Sequence, residues 1–478
     1  MLVTVALALG YWQVIRADDL LGRPTNPRII EEERRHLRGR ILDRHGEVLA
    51  SSKKIGELAE RTYAYAPLAH VTGYASTIHG KSGIEEAYDP FLRGDRGSGL
   101  LTRLQRRVLP ADQVGTDIVL TIDLELQRVA DGVLGNDRGA VIAINVATGE
   151  VLALASHPYF DPNTLDESWE QLATDSATPF VDRATQGQYV PGSVFKIVTA
   201  SAAVDLRVAD PNERHRHEGD LVVDGFRIRN TNHPQLTDLS WAEEFAWSCN
   251  PMFAYTGLSL GFPGAADFNV MSSPQPFTFP SVSVAASVDR FREYAQRFGI
   301  GQRVPFDLPT SAGRISSGPS MTAVELANTA FGQGDLQVSP LQMALAAATI
   351  ANGGVMPAPY LASESRGPHG NTTLHRGGET LRRVVSPATA AAVNQMMVLS
   401  VDTAYAQPAR IAGVRVAGKT GTAEVGAGST PHAWFIGYAP ADRPGVAVAV
   451  IMENRGSGTQ FATPAAQKVL EAALRLGY

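Results

Sequence analysis

Apolar and polar positions divide the chain into stretches of different texture. From Leu2 to Ile15 the apolar residues run almost without a break, with Tyr11 and Trp12 near the end and Arg16 just beyond. A bilayer-spanning helix needs about 20 such residues, so the run is a stub. A buried amphipathic helix is one reading of it, and a membrane anchor whose cytoplasmic end lies upstream of Met1 is the other. The aromatic pair favours the anchor, and the lack of lysine or arginine ahead of the run argues against a cleavable signal peptide. From residue 18 to about 115 short strand-like pieces are broken by glycines and charges, as in "RGRILDRHGEVLASS", which predicts a small, irregular, mostly β domain.

A different texture follows. A helix is expected from about Asp123, and then "GAVIAINVATGEVLALAS" gives two apolar runs joined by "ATGE", a β-hairpin. Ser193 to about Ala351 reads as mainly helical, for example "SPLQMALAAATIANGG" with Gly353 and Gly354 as its stop. Three more strand runs, "RVAGKTGTAEVG", "HAWFIGYAP" and "GVAVAVIMEN", precede a closing helix in "PAAQKVLEAALRLGY". Strands first, helices inserted and strands last imply an α+β domain whose sheet is completed by distant segments. Phe262 to Ser287 interrupts the helical texture with prolines and serine clusters and is expected to be a loop or insertion.

Bulk composition narrows the function classes. The 478 residues are 44% apolar and 19% charged, with a formal net charge of −6. That is the profile of a folded enzyme of two or three domains, and with no basic stripe a nucleic-acid partner is disfavoured. A single cysteine, Cys249, excludes an intrachain disulfide and a cysteine zinc site.

Candidate chemistry begins at "YVPGSVFKIVTA", where Ser193 and Lys196 sit three residues apart at the expected start of an apolar helix. That spacing puts both on one helix face. A serine hydroxyl needs a base, and a lysine amine can serve if burial or a nearby cation depresses its pKa. In "WSCNPMFA", Ser248 and Asn250 flank Cys249; in extended backbone their side chains would face a cleft together and Cys249 would point away. In "VAGKTGTAE", Lys419 and the hydroxyls of Thr420 and Thr422 suit a carboxylate, and Gly421 lets a substrate backbone approach. The N–H groups of Thr422 and Ser193 could together stabilise an oxyanion.

Each motif alone is weak. Ser51 and Lys54 in "SSKK" repeat the first spacing in a charged stretch, and "GKSG" at Lys81 to Gly83 imitates the third without strands around it. What decides is that all three occur in order, each in its expected setting, the signature of the penicillin-recognising serine enzymes.

At this point the sequence resembles a class B penicillin-binding protein. "RGRILDRHGEVLA" and "GIEEAYDPFLRG" look like that family's pedestal motifs, and "RATQGQYVPGSVFKIVTA", "FGQGDLQVSPLQMALAAATIANGG" and "KTGTAE...HAWFIGYAP" like its transpeptidase blocks. The resemblance implies an antiparallel sheet flanked by helices, with a mainly helical subdomain, behind a β-rich pedestal. It divides the chain into an anchor stub at 1–17, a pedestal of the dimerisation type at 18–115 and a transpeptidase domain at 116–478. It further implies a peptidoglycan D,D-transpeptidase without cofactor or metal, in which Ser193 is acylated by a stem peptide ending in D-Ala-D-Ala and Lys196 is the general base. Ser248 and Asn250 would line the cleft, and Lys419, Thr420, Gly421 and Thr422 would receive the terminal carboxylate that a β-lactam imitates. The implied partners are peptidoglycan stem peptides, β-lactams, the membrane, and a glycosyltransferase of the shape, elongation, division and sporulation family. The implied location is the cell membrane, with the catalytic domain outside the cytoplasm.

Rival readings are a serine β-lactamase, which would have no use for a pedestal, and a β-lactam receptor, which would carry several upstream membrane helices. A scaffold with a vestigial site is disfavoured because every motif residue is intact. His215, His217 and Glu218 in "RHRHEG" are potential metal ligands, but with no third ligand at a helical spacing and no HExxH the stretch reads as a solvated loop. Asp43 and Arg44 read as a structural turn and ion pair, and Trp434 and Phe435 as sheet core.

Overall fold

The computed structural model describes residues 11, 36–94, 115–216, 220–230, 238–264, 266–272, 275–280, 284–367, 371–426 and 428–478. The expected anchor at 1–17 lies, apart from residue 11, outside the described residues. Among the described residues no helix is long and apolar enough to cross a membrane. The chain forms two compact units, each discontinuous in sequence.

The first comprises residues 1–120, 161–170 and 363–375. Its sheet has six strands, in spatial order Thr372–His375, Ala362–Arg366, Asp117–Leu120, Ile41–Leu42, Val48–Ile55 and Leu58–Tyr63. Asp43 shapes the turn between Ile41–Leu42 and Val48–Ile55, the first two strands in chain order: its Oδ1 accepts from the backbone N–H of His45 and of Glu47, each at 2.8 Å. The same unit holds a buried charge cluster that includes Arg61 of the strand Leu58–Tyr63. Glu85, fully buried, receives Arg38 Nε at 2.8 Å and Arg61 Nε at 2.6 Å, while Arg38 Nη1 reaches Asp89 at 2.6 Å. Two cations and two carboxylates in register satisfy one another where a single charge would be costly.

The second unit holds residues 121–160, 171–362 and 376–478. Its sheet consists of β1 (Gly139–Asn145), β2 (Val151–His157), β3 (Ala417–Ala423), β4 (His432–Ala439) and β5 (Val446–Met452), ordered β3-β4-β5-β1-β2 and antiparallel throughout. The anticipated hairpin is β1–β2, with Asn145 Oδ1 accepting from the N–H of Ala147 and Thr148 in its turn. The strands read as continuous apolar runs because both sheet faces are covered. On one face α1 (Leu124–Leu134) contributes Leu126, Ala130 and Leu134, and the closing helix Ala462–Arg475 contributes Val469 and Leu470, packed on Val141, Phe435 and Val448. Asp123 caps α1, accepting from the N–H of Glu125 and Leu126. The apolar helix Pro340–Ala351, capped by Ser339, packs on β1, β4 and β5.

The helical region contains α2 (Lys196–Asp205), α3 (Trp241–Ala246) and α4 (Asn250–Ser259), and also a small hairpin, Leu221–Val223 with Phe226–Ile228, that periodicity did not foresee. Within the interruption at Phe262 to Ser287 the described residues form a short helical turn, Phe268–Met271, and an extended pair, Phe277–Thr278, before the helix Ala285–Arg297 begins.

Candidate active site

Ser193 sits in a single 3-10 turn, Gly192–Phe195, that leads directly into α2. The serine therefore precedes the α-helix by a turn instead of lying inside it, and Lys196 is the first α-helical residue. Gly192 makes this possible. Its φ is +58°, and a Cβ there would stand 2.7 Å from the carbonyl oxygen of Thr422. Gly421 mirrors it from β3, where a Cβ would meet the carbonyl oxygen of Pro191 and Cγ1 of Val194 at 3.0 Å. Two glycines thus let the serine turn and β3 pack backbone against backbone.

Lys196 is the hub. Its Nζ lies 3.1 Å from Ser193 Oγ, 2.6 Å from the carbonyl oxygen of Ser248, 3.1 Å from Ser248 Oγ and 2.7 Å from Asn250 Oδ1. The side chain is fully buried, with the rings of Phe253 and Phe331 beside it. Burial is the main cause that holds its pKa well below the usual lysine value; the nearby Lys419 adds to this, and Cys249 and Glu244 oppose it. A neutral amine donates two protons and accepts one, so it can donate to the Ser248 carbonyl and Asn250 and still accept from the Ser193 hydroxyl.

Ser248 and Asn250 do converge, but not through extended backbone. Ser248 adopts a left-handed conformation, φ +63°, in the tight link between α3 and α4, and Asn250 is the first residue of α4. The expectation failed because a helix–helix link, not a strand, carries the motif. Cys249 turns inward and is fully buried. Its Sγ accepts from the N–H of Met252 at 3.5 Å and from Asn230 Nδ2 at 3.2 Å.

On β3, residues alternate between faces. Lys419 and Gly421 share the face of Ile436 and Trp434, their register partners on β4. Lys419 is fully buried, near the ring of Phe245, with Nζ 3.3 Å from the Thr420 carbonyl oxygen, and burial lowers its pKa to about 7. Thr422 is exposed, and its Oγ1 accepts from the N–H of Gly458 at 3.4 Å. A cleft of about 1410 Å³ is lined by Ser193, Ser248, Asn250, Thr420, Gly421 and Thr422. The two lysines stand behind its lining, so all the sequence-predicted residues come together. β3 is the edge strand of the sheet, able to accept an extended peptide alongside it.

Sequence reasoning missed three supports. Asn230 Oδ1 accepts from the N–H of Asn250 at 2.7 Å and so fixes the start of α4. Glu453 accepts from Tyr189 Oη at 2.7 Å and Arg183 Nε at 2.8 Å and pairs with Arg138 at 2.9 Å. Trp434, core as expected, donates from Nε1 to the carbonyl oxygen of Val190. Their only signals were a tyrosine four residues before Ser193 and a lone acid ending an apolar strand. His215 is buried against the ring of Phe268, whereas His217 and Glu218 lie outside the described residues. Among the described residues no group of three potential metal ligands occurs.

A lysine-paired serine turn packed on an edge strand defines a serine acyl-transfer enzyme, and comparison with known proteins names the class. Residues 139–474 match the penicillin binding protein transpeptidase domain and residues 38–118 the penicillin binding protein A dimerisation domain. The chain belongs to the penicillin-binding protein transpeptidase family, in the class B arrangement of a dimerisation domain ahead of the catalytic one. It is 33% identical to peptidoglycan D,D-transpeptidase PbpA of Mycolicibacterium smegmatis, over 97% of this chain and 94% of the relative. It is 31% identical to PbpA of Mycobacterium tuberculosis, over 99% and 96%. Among solved structures it is similar to penicillin-binding protein A from M. tuberculosis as its ceftriaxone acyl-enzyme, with TM-score 0.81 and 31% identity over 93% of this chain and 100% of that one.

Proposed function

We propose that the chain is a peptidoglycan D,D-transpeptidase that crosslinks stem peptides through an acyl-enzyme on Ser193 and is acylated there by β-lactams. The observation that carries the reading is Lys196 Nζ held between Ser193 Oγ, Ser248 and Asn250 with its pKa depressed. Lys196 takes the hydroxyl proton as Ser193 Oγ attacks the carbonyl of the penultimate D-Ala. The N–H groups of Ser193 and Thr422 face the developing oxyanion. As the C–N bond breaks, the proton passes through Ser248 Oγ, 3.1 Å from Lys196 Nζ, to the departing D-Ala amine. Lys419 and the Thr420 and Thr422 hydroxyls receive the terminal carboxylate, whose arrival favours the charged form of Lys419. Gly421 keeps the strand backbone accessible, and Asn250 holds a donor carbonyl. An amine from a second strand then attacks the ester carbonyl, the peptide bond forms, and Ser193 leaves with its proton restored through Lys196. The ester conserves the energy of the cleaved amide, so no nucleotide is consumed.

The division into an anchor at 1–17, a pedestal at 18–115 and a transpeptidase domain at 116–478 belongs to this reading. So do membrane attachment with the catalytic unit outside the cytoplasm, and a glycosyltransferase of the shape, elongation, division and sporulation family as partner. The apolar run at Leu2 to Ile15 and the dimerisation domain at 38–118 support them.

The test is incubation with a fluorescent penicillin beside Ser193→Ala, read by gel and intact mass. Labelling stable for many minutes in the parent and absent in the variant is expected. Rapid loss of label with hydrolysed drug would instead mark a β-lactamase.

A further inference from the structure

One polar side chain in the cleft has no part in the chemistry described. His432 begins β4 opposite Ala423, on the sheet face that carries Lys419 and Gly421, and it lines the cleft one position beyond Thr422. Its ring is fixed. Nδ1 accepts from the N–H of Asn454 at 3.0 Å, and Asn454 is held in a left-handed conformation, φ +54°, that presents this N–H. The N–H of Gly456 bonds the carbonyl oxygen of Pro431 at 2.8 Å and locks the same loop to the start of β4. The Tyr189 ring packs edge-on at 5.5 Å, and its hydroxyl is tied to Glu453.

This frame sets the tautomer. A ring nitrogen that accepts from a backbone N–H carries no proton, so in neutral imidazole the proton is on Nε2, which is then a donor. Burial holds the His432 pKa below its ordinary value, with Arg138 acting in the same sense and Glu453 against it, which keeps the ring neutral. Among the described residues nothing accepts from Nε2.

Position along β3 says what would. A stem peptide gripped by its terminal carboxylate at Lys419 and Thr420, and attacked beside Thr422, advances about 3.3 Å per residue along the strand. The residue that comes level with Ala423 and His432 is the one preceding the D-Ala-D-Ala pair, the diamino acid of the stem. We infer that His432 Nε2 donates a hydrogen bond to the side-chain carboxylate of a dicarboxylic diamino acid at that position and so selects stem peptides of three or more residues over shorter acyl donors. The inference rests on the transpeptidase reading above and deepens it.

The test compares acylation rate constants for benzylpenicillin and for a penicillin whose 6-acyl side chain ends in an aminodicarboxylic group like that of the stem. Parent protein, His432→Phe and His432→Gln would be measured. Phenylalanine keeps the packing on Tyr189 and removes the donor, while glutamine restores a donor of similar reach. The preference of the parent for the peptide-like penicillin should fall about tenfold in His432→Phe, as expected for one buried hydrogen bond, and return at least in part in His432→Gln. Equal rate losses for both drugs would assign His432 a purely structural role and overturn the inference, as would a preference that stays within twofold. A parent that neither drug acylates would instead refute the transpeptidase reading itself.

Discussion

Lys419→Met tests the electrostatics of the site at its most quantifiable point. The wild-type amine is fully buried and its pKa falls from 10.5 to about 7. That interval is roughly three and a half pH units, and at about 1.4 kcal/mol per unit it costs the fold on the order of 5 kcal/mol at and below neutrality. The sign follows from proton counting. Between about 7 and 10.5 the unfolded chain binds the extra proton, so the stability of the native state rises with pH through that window and is lowest below it. Methionine fills a similar volume and binds no proton. Denaturant midpoints measured from pH 6.5 to 9.5 should show the variant more stable, by a margin that shrinks as pH rises and levels off below about 7. Function should move the other way. The terminal carboxylate loses its cation, so acylation should slow by about 10²-fold or more, the scale of removing one electrostatic stabiliser. Lys196, relieved of a neighbour that lowers its pKa, should titrate higher, and the basic-going limb of the acylation pH profile should shift upward. A stability difference that is flat across this range would refute the account of Lys419 as a buried, depressed lysine.

Three further outcomes follow from the same geometry. Glu85→Gln removes the carboxylate between Arg38 and Arg61 and leaves buried charge uncompensated, so the first unit should lose about 3–5 kcal/mol, visible as a lowered thermal transition. Asn230→Ala takes away the acceptor for the Asn250 N–H, which should cost about 1–3 kcal/mol; acylation should fall roughly tenfold by the rate effect of such a loss, with the fold retained by circular dichroism. Gly421→Ala places a methyl 3.0 Å from the Pro191 carbonyl oxygen and 3.1 Å from Cβ of Trp434. Overpacking there should cost about 1–3 kcal/mol and push the serine turn away from β3, lowering acylation by more than it lowers stability.

How legible these features were depends on their range along the chain. Strands β1 to β5, helix α1 and the closing helix were readable because their apolar runs, caps and turn residues are local signals. Ser193 with Lys196, and Lys419 to Thr422, were readable because each motif sits within a single turn or strand. Ser248 and Asn250 do meet at Lys196, but not by the extended geometry expected of them, since a left-handed serine between two helices has no signature that separates it from extended chain. The first unit recruits residues 161–170 and 363–375, and Glu453 reaches back to Arg183 and Tyr189. Contacts separated by hundreds of residues leave no periodicity to read.

The same distinction explains why Lys196 and Lys419 stand out in the sequence while their protonation state does not. A sequence shows Lys196 three residues after Ser193; it does not show Phe253, Phe331 and Lys419 closing around the amine. Those neighbours come from α4, from the turn after Ala330 and from β3, and only folding assembles them. Because one buried lysine depresses the other, protonation of either opposes protonation of its neighbour. A free site can therefore keep Lys196 as an amine, and a carboxylate arriving beside Lys419 can stabilise charge there without requiring it on Lys196. In the proposed reaction, substrate binding at Lys419 and readiness of Lys196 as the base are coupled through the space between the two lysines, and that coupling is what the paired pH profiles of parent and Lys419→Met would measure.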